Sequence, residues 1–208
     1  MNSENVKGMF LCGGALISNK HVLTAAQCVF PRLNARSAHL SSSVFKPQEI
    51  RVTLGAFKII EEDEEGKNQV TISKITVHPE NEALSNKNDF AILTLSETVS
   101  FSYKFQPICL PAIPIYQEGT ATVTGWGTGS TVTGWGTGWG TELSSPFLKT
   151  TNVSIISDRE CKFTYFDDWV NMGDGIGLSK FCAWDTDTAW KTCRSDTGGP
   201  LSVTQKKR

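Results

Sequence analysis

Residues Lys191 to Pro200 read Lys-Thr-Cys-Arg-Ser-Asp-Thr-Gly-Gly-Pro, which sets hydroxyls, a thiol and a carboxylate beside a turn-forming Gly-Gly-Pro. The chemistry open to such a set is acyl transfer, in which a hydroxyl attacks a carbonyl after a neighbouring base has taken its proton. Threonine is a competent nucleophile in enzymes where an N-terminal amine activates it. Thr197 is internal, so its base would have to come from elsewhere in the chain. The sequence holds three histidines. His21 precedes Gln27 on one hairpin, His39 lies in an irregular loop, and His78 sits in a Val-His-Pro-Glu turn. A general base must stand within hydrogen-bond reach of its proton, so all three are read as surface or packing residues.

The elements that must position these groups are short and rich in β-formers. Met9 to Val29 forms two apolar runs joined at Asn19-Lys20, with Cys12 and Cys28 bracketing the hairpin. Ile50 to Leu54 alternates as a half-buried strand, Val70 to His78 is another, and Lys149 to Cys161 holds a strand and then a short helix beginning near Ser157 or Asp158. Eighteen glycines and eight prolines among 208 residues favour an all-β chain with frequent turns, and 39% hydrophobic content suffices for one or two closely packed units. Glu61 to Glu65 is an unbroken acidic run, expected as a solvated loop. The octamer Thr-Val-Thr-Gly-Trp-Gly-Thr-Gly occurs at 122 to 129 and again at 131 to 138. That odd shift of nine residues would turn the second copy inside out within one strand, so one copy must bulge into a loop. Trp169, Trp184 and Trp190 are read as packing residues.

The bulk numbers exclude some partners and favour a compartment. A net charge of -1 and a pI near 6.3 offer no attraction to nucleic acid or an anionic membrane, and no apolar run approaches the ~20 residues that span a bilayer. None of the six cysteines forms a Cys-x-x-Cys pair with a nearby histidine, so disulfides are expected rather than a metal site. Disulfides imply an oxidising compartment, whereas Met1 to Leu11 carries no leader pattern. Asn152-Val153-Ser154 is a formal glycosylation sequon, weakened by its place in a strand.

Five motifs, in order, resemble the chymotrypsin and trypsin family of serine endopeptidases. They are Cys12-Gly-Gly-Ala-Leu-Ile with Leu23-Thr-Ala-Ala-Gln-Cys28, Asn88-Asp-Phe-Ala-Ile-Leu, Gln106-Pro-Ile-Cys-Leu-Pro111, the Gly-Trp-Gly, and Cys193 to Pro200. The resemblance implies a trypsin-like domain over about 10 to 208, built as two six-stranded antiparallel β-barrels at about 10 to 105 and 118 to 208, truncated at both ends. It also implies disulfides Cys12 to Cys28 and Cys161 to Cys182, with Cys109 and Cys193 left as free thiols.

The same resemblance places Gln27 where the family has its catalytic histidine, Asp89 at the orienting carboxylate, and Thr197 at the nucleophilic serine. An amide has no basic nitrogen, so Gln27 is expected to donate its NH₂ to Asp89 rather than take a proton. Backbone N-H groups of Ser195 and Thr197 correspond to the oxyanion hole, and Ser195 replaces a glycine there. Lys191 stands where trypsins carry the aspartate of the specificity pocket, and would repel basic side chains. The family pairs Asp196 with a new N-terminus released ahead of Ile-Val-Gly-Gly; that tetrapeptide is missing here, so the loop is expected to stay zymogen-like. Some relatives bind calcium near the acidic run, but Ala56 and Asn68 occupy the expected glutamate positions, so neither metal nor cofactor is expected. The expectation is an extracellular, catalytically inactive homologue that binds a protein partner or a protease-cascade component. The alternatives are an active endopeptidase, should Gln27 or Thr197 be a sequence error, and a non-functional fragment.

Overall fold

The structure, a computed structural model, describes residues 12–31, 43–58, 61, 64–82, 87–111, 119–127, 145–164, 181–185 and 196–204. Among the described residues nine strands form two antiparallel sheets. Strands β1 (Ala15–Leu16), β2 (His21–Thr24), β3 (Arg51–Leu54), β4 (Asn68–Val77) and β5 (Ala91–Leu95) lie in the order β1-β2-β5-β4-β3. Strands β6 (Gly119–Gly125), β7 (Lys149–Ile156), β8 (Cys182–Asp185) and β9 (Leu201–Ser202) lie in the order β8-β7-β6-β9. Helix α1 (Asp158–Thr164) follows β7 after Ser157, whose hydroxyl accepts the Glu160 N-H at 3.2 Å as a helix cap. The all-β architecture and this short helix are as the sequence indicates.

Each sheet turns one face inward. Leu16, Val22, Val29, Leu54, Val70, Ile72, Leu93 and Leu95 build the first core, and Ala121, Val153 and Ile155 the second. Full burial of one such aliphatic side chain stabilises the fold by roughly 1.5 to 3 kcal/mol. Strand β4 keeps its apolar residues inward only because its register slips between Ile72 and Lys74. The slip moves the inward set from Val70 and Ile72 to Ile75 and Val77, and the extra residue, Ser73, gives its hydroxyl to the carbonyls of Thr94 and Leu95.

Two disulfides staple the sheets at their ends. Cys12 to Cys28 closes the β1–β2 hairpin with Cα atoms 6.0 Å apart, and Cys161 to Cys182 ties α1 to β8 with Cα atoms 5.8 Å apart. Closing a loop of about 15 residues stabilises by about 3 kcal/mol in the chain-entropy account. The Cys12→Ser/Cys28→Ser variant is therefore expected to lose about that much in denaturant unfolding, with a steeper denaturant slope because the uncrosslinked unfolded chain exposes more surface. Cys109 is an exposed free cysteine, and Cys193 lies outside the described residues. The first copy of the repeated octamer opens within β6, and the second lies outside the described residues.

Candidate active site

The site begins at the turn that ends β2. Ala26–Val29 coils as one 3₁₀ turn and buries Ala26, Cys28 and Val29, which leaves Gln27 half-buried on the other side. Facing it, Asn88 takes a left-handed backbone (φ 51°) that asparagine tolerates better than most residues. Asn88 Nδ2 donates to the Glu80 carbonyl at 3.0 Å, and Asn81 Nδ2 donates to the Asn88 carbonyl at 3.1 Å. This lashed turn presents Asp89 to Gln27.

The contact is two-pronged. Gln27 N-H donates to Asp89 Oδ1 at 2.8 Å, and Gln27 Nε2 donates to Asp89 Oδ2 at 2.9 Å. The first bond satisfies one of the orphan N-H groups at the start of the turn, where a carboxylate is favoured. The second fixes the amide's orientation, because rotating it would set two acceptors face to face. Both carboxylate oxygens are thus engaged by a residue that donates to each of them.

Thr197 is brought to the same hairpin from the far end of the chain. Its carbonyl accepts the Gly13 N-H at 2.8 Å and lies 3.6 Å from Cys28 Sγ, one residue from Gln27. Gly198 makes this docking possible, with a φ of +83° that few L residues adopt. A Cβ there would overlap Thr24 Oγ1 and fall 2.7 Å from the Gly13 carbonyl, a pair itself joined by a 2.8 Å hydrogen bond. Gly199 N-H closes the turn onto the Asp196 carbonyl at 2.9 Å, and Asp196 sits so close to Gly125 that a side chain at that position would overlap it. Thr197 lines a cleft of about 280 Å³ with Val123, Thr124, Asp196, Gly199, Pro200 and Leu201. Among the described residues Thr197 Oγ1 makes no hydrogen bond to a base. Ser195 and Lys191 lie outside the described residues.

Two histidines are placed, and among the described residues neither ring is hydrogen-bonded to Gln27, Asp89 or Thr197. His21 pairs with Thr94 at the opposite end of β2, roughly 16 Å along the ladder from Asp89 at ~3.3 Å per residue, and its Nδ1 meets Ser18 Oγ at 2.9 Å. His78 follows β4 and its backbone N-H donates to the Phe90 carbonyl beside Asp89 at 2.9 Å, but its ring turns to its own loop, where Nδ1 accepts the Glu80 N-H at 3.1 Å. His39 lies outside the described residues.

The acidic run is not uniformly solvated, because Glu64 turns back into its own loop. Its carboxylate accepts the N-H groups of Phe57 and Lys58 at 2.9 and 2.8 Å and pairs with Lys104 Nζ at 3.6 Å, leaving its side chain 11% exposed. The Phe57 carbonyl in turn accepts Trp126 Nε1 at 3.2 Å and the Leu148 N-H at 2.7 Å, both from the second sheet's half. Reading the charges as a block misses this role; the signal that finds it is the later Lys104.

Donation from the Lys58 N-H, with that of Phe57 and the Lys104 charge, holds the Glu64 carboxyl below its ordinary 4.5. A lowered folded value means the contribution is complete above 4.5 and is lost as pH falls through the folded value. Melting curves of the parent and Glu64→Gln are expected to differ at neutral pH and to converge at acid pH below that range.

Trp184 also departs from the packing role. Alternation in β8 sends Ala183 inward against Ile155 and turns Trp184 outward, 51% exposed. Trp169 and Trp190 lie outside the described residues.

Two antiparallel sheets, with a carboxylate presented to a disulfide-closed hairpin and a Gly-Gly-Pro turn docked on that hairpin, define the chymotrypsin-like class of β protein. The trypsin family model matches residues 1–207, and the chain belongs to that family. It is 32% identical over 201 residues to the proclotting enzyme of Tachypleus tridentatus, covering 94% of this chain and 48% of that protein. It is 30% identical to the serine protease snk of Drosophila melanogaster, covering 91% of this chain and 38% of that protein. With the tryptase of Mus musculus it shares 32% identity over 97% of this chain and 66% of that protein. The chain thus spans less than half the length of the first two relatives. Among the described residues no helix is long and apolar enough to cross a membrane.

Proposed function

We propose that this trypsin-family domain does not turn over peptide bonds and acts in extracellular proteolysis by binding, as a cofactor or decoy for a protease or its zymogen. The observation that carries the reading is the Gln27–Asp89 pair. Where acyl transfer needs an imidazole, the Gln27 side-chain amide holds Asp89 Oδ2 while its backbone N-H holds Oδ1, and the amide offers Thr197 no basic nitrogen. In this reading Gln27, Asp89 and Thr197 are the degenerate triad, Ser195 and Thr197 the altered oxyanion hole, and Lys191 the altered specificity position, within a domain running from about 10 to 208. Two disulfides and the names of relatives such as the proclotting enzyme favour an extracellular setting with protein partners.

The test titrates the pure, oxidised chain into a reaction in which an active trypsin-family protease cleaves a zymogen. The expected result is a saturable change in that rate, unaltered by Thr197→Ala, with no cleavage product when the chain and zymogen are incubated alone. An unchanged rate at saturating concentrations across several protease and zymogen pairs contradicts the binding role.

A further inference from the structure

Asn152-Val153-Ser154 is the single Asn-x-Ser/Thr acceptor sequence in the chain, and the site described above makes no use of it. Its place in β7 does not hide it. Val153 and Ile155 turn inward to the second core, so Asn152 and Ser154 share the outer face, where Asn152 is exposed. Asn152 Oδ1 accepts the Thr122 hydroxyl at 3.1 Å, and among the described residues Nδ2 donates to no other group. Its immediate neighbours on that face are small and polar, with Thr120 and Thr122 on β6 and Thr150 and Ser154 on β7 itself. The exception is Trp184. It lies directly opposite Ser154 and therefore diagonal to Asn152, a spacing of about 7 to 8 Å that long and aromatic side chains bridge. Half its surface faces solvent, on a face it shares with these hydroxyls and, further along, with Ile156 and Cys182.

We propose that Asn152 carries an N-linked glycan and that its first sugar lies over the indole of Trp184. The apolar C-H face of a pyranose complements the electron-rich face of an aromatic ring, and covering Trp184 removes apolar surface from water. The step joins Asn152 Nδ2 to the anomeric carbon of N-acetylglucosamine and breaks that carbon's bond to the diphosphate of a lipid-linked oligosaccharide donor. Lipid diphosphate leaves, and one amide proton passes to a base of the transferase. The modification rests on the extracellular reading for the compartment where such a donor is found.

The test expresses the full chain behind a cleavable secretory leader in translation with microsomes, which makes acceptor competence independent of residence and of catalytic state. Protease-protected chain is expected to run slower on a gel, a shift reversed by an endoglycosidase. Asn152→Gln and Ser154→Ala abolish the shift, and Ser154→Thr keeps it. Protease-protected parent chain without a shift overturns the site. For the placement of the sugar, secreted protein is trimmed to one N-acetylglucosamine and melted beside Asn152→Gln. The single sugar is expected to raise the melting temperature when Trp184 is present and not in Trp184→Ala. An equal rise in Trp184→Ala overturns the stacking.

Discussion

Purified, oxidised protein is expected to cleave peptide and ester substrates about 10⁶-fold more slowly than an active member of its family, and neither Gln27→His nor Thr197→Ser alone is expected to restore turnover. Loss of a single nucleophile or base removes that much from a triad, because its members act as a unit. From a typical ~10 per second, roughly one event per day remains. Gln27→His supplies an imidazole whose Nδ1-H can replace the amide's bond to Asp89, but it faces a threonine whose added methyl restricts χ1. Thr197→Ser removes that methyl and leaves the serine facing an amide. The double variant restores base and nucleophile together on a hairpin already docked to the Thr197 loop. It is expected to exceed either single variant by about 10²- to 10⁴-fold, the range of general-base assistance. Initial rates on a panel of arginyl, aromatic and aliphatic ester substrates provide the comparison.

The second large effect concerns the turn that brings Thr197 to the hairpin. Gly198→Val forces a β-branched residue to φ +83° and drives its Cβ into Thr24 Oγ1 and the Gly13 carbonyl. Backbone strain of about 1 to 3 kcal/mol adds to the displaced Thr24–Gly13 bond, worth about 1 kcal/mol, for a total of roughly 2 to 4 kcal/mol. For a chain of this size the expected fall in melting temperature is roughly 4 to 16 °C. Gly119→Val is the matched control. At the start of β6 an added Cβ meets nothing within 4 Å, and valine suits a strand. Its melting temperature should stay within a degree or two, as surface changes usually do.

The contact between Gln27 and Asp89 is legible in local words of sequence. Leu23-Thr-Ala-Ala-Gln-Cys28 and Asn88-Asp-Phe-Ala sit at the ends of β2 and β5, and antiparallel pairing of those strands brings the two words together. The bracketing cysteines and the helix start at Asp158 are equally local. What escapes the sequence is set by distant partners. The bulge at Ser73 shows only as a change of parity between Ile72 and Ile75, and it takes its meaning from β5 across the ladder. Which glutamate of the acidic run turns inward depends on two backbone N-H groups and on Lys104, so like-charge reasoning gives all five residues the same fate. Trp184 reads as a packing residue by type, while the inward turn of Ala183 beside it sends it to solvent.

Covalent capture reaches the central claim most directly. Folded, oxidised protein is incubated with a fluorophosphonate that phosphonylates activated hydroxyls in active serine proteases, and intact-mass and peptide spectra are read beside an active trypsin-family control. With an amide holding Asp89 and, among the described residues, no base on Thr197 Oγ1, the chain is predicted to remain unlabelled while the control is labelled to completion. A stoichiometric adduct on Thr197, absent after unfolding and in Thr197→Ala, would contradict the account.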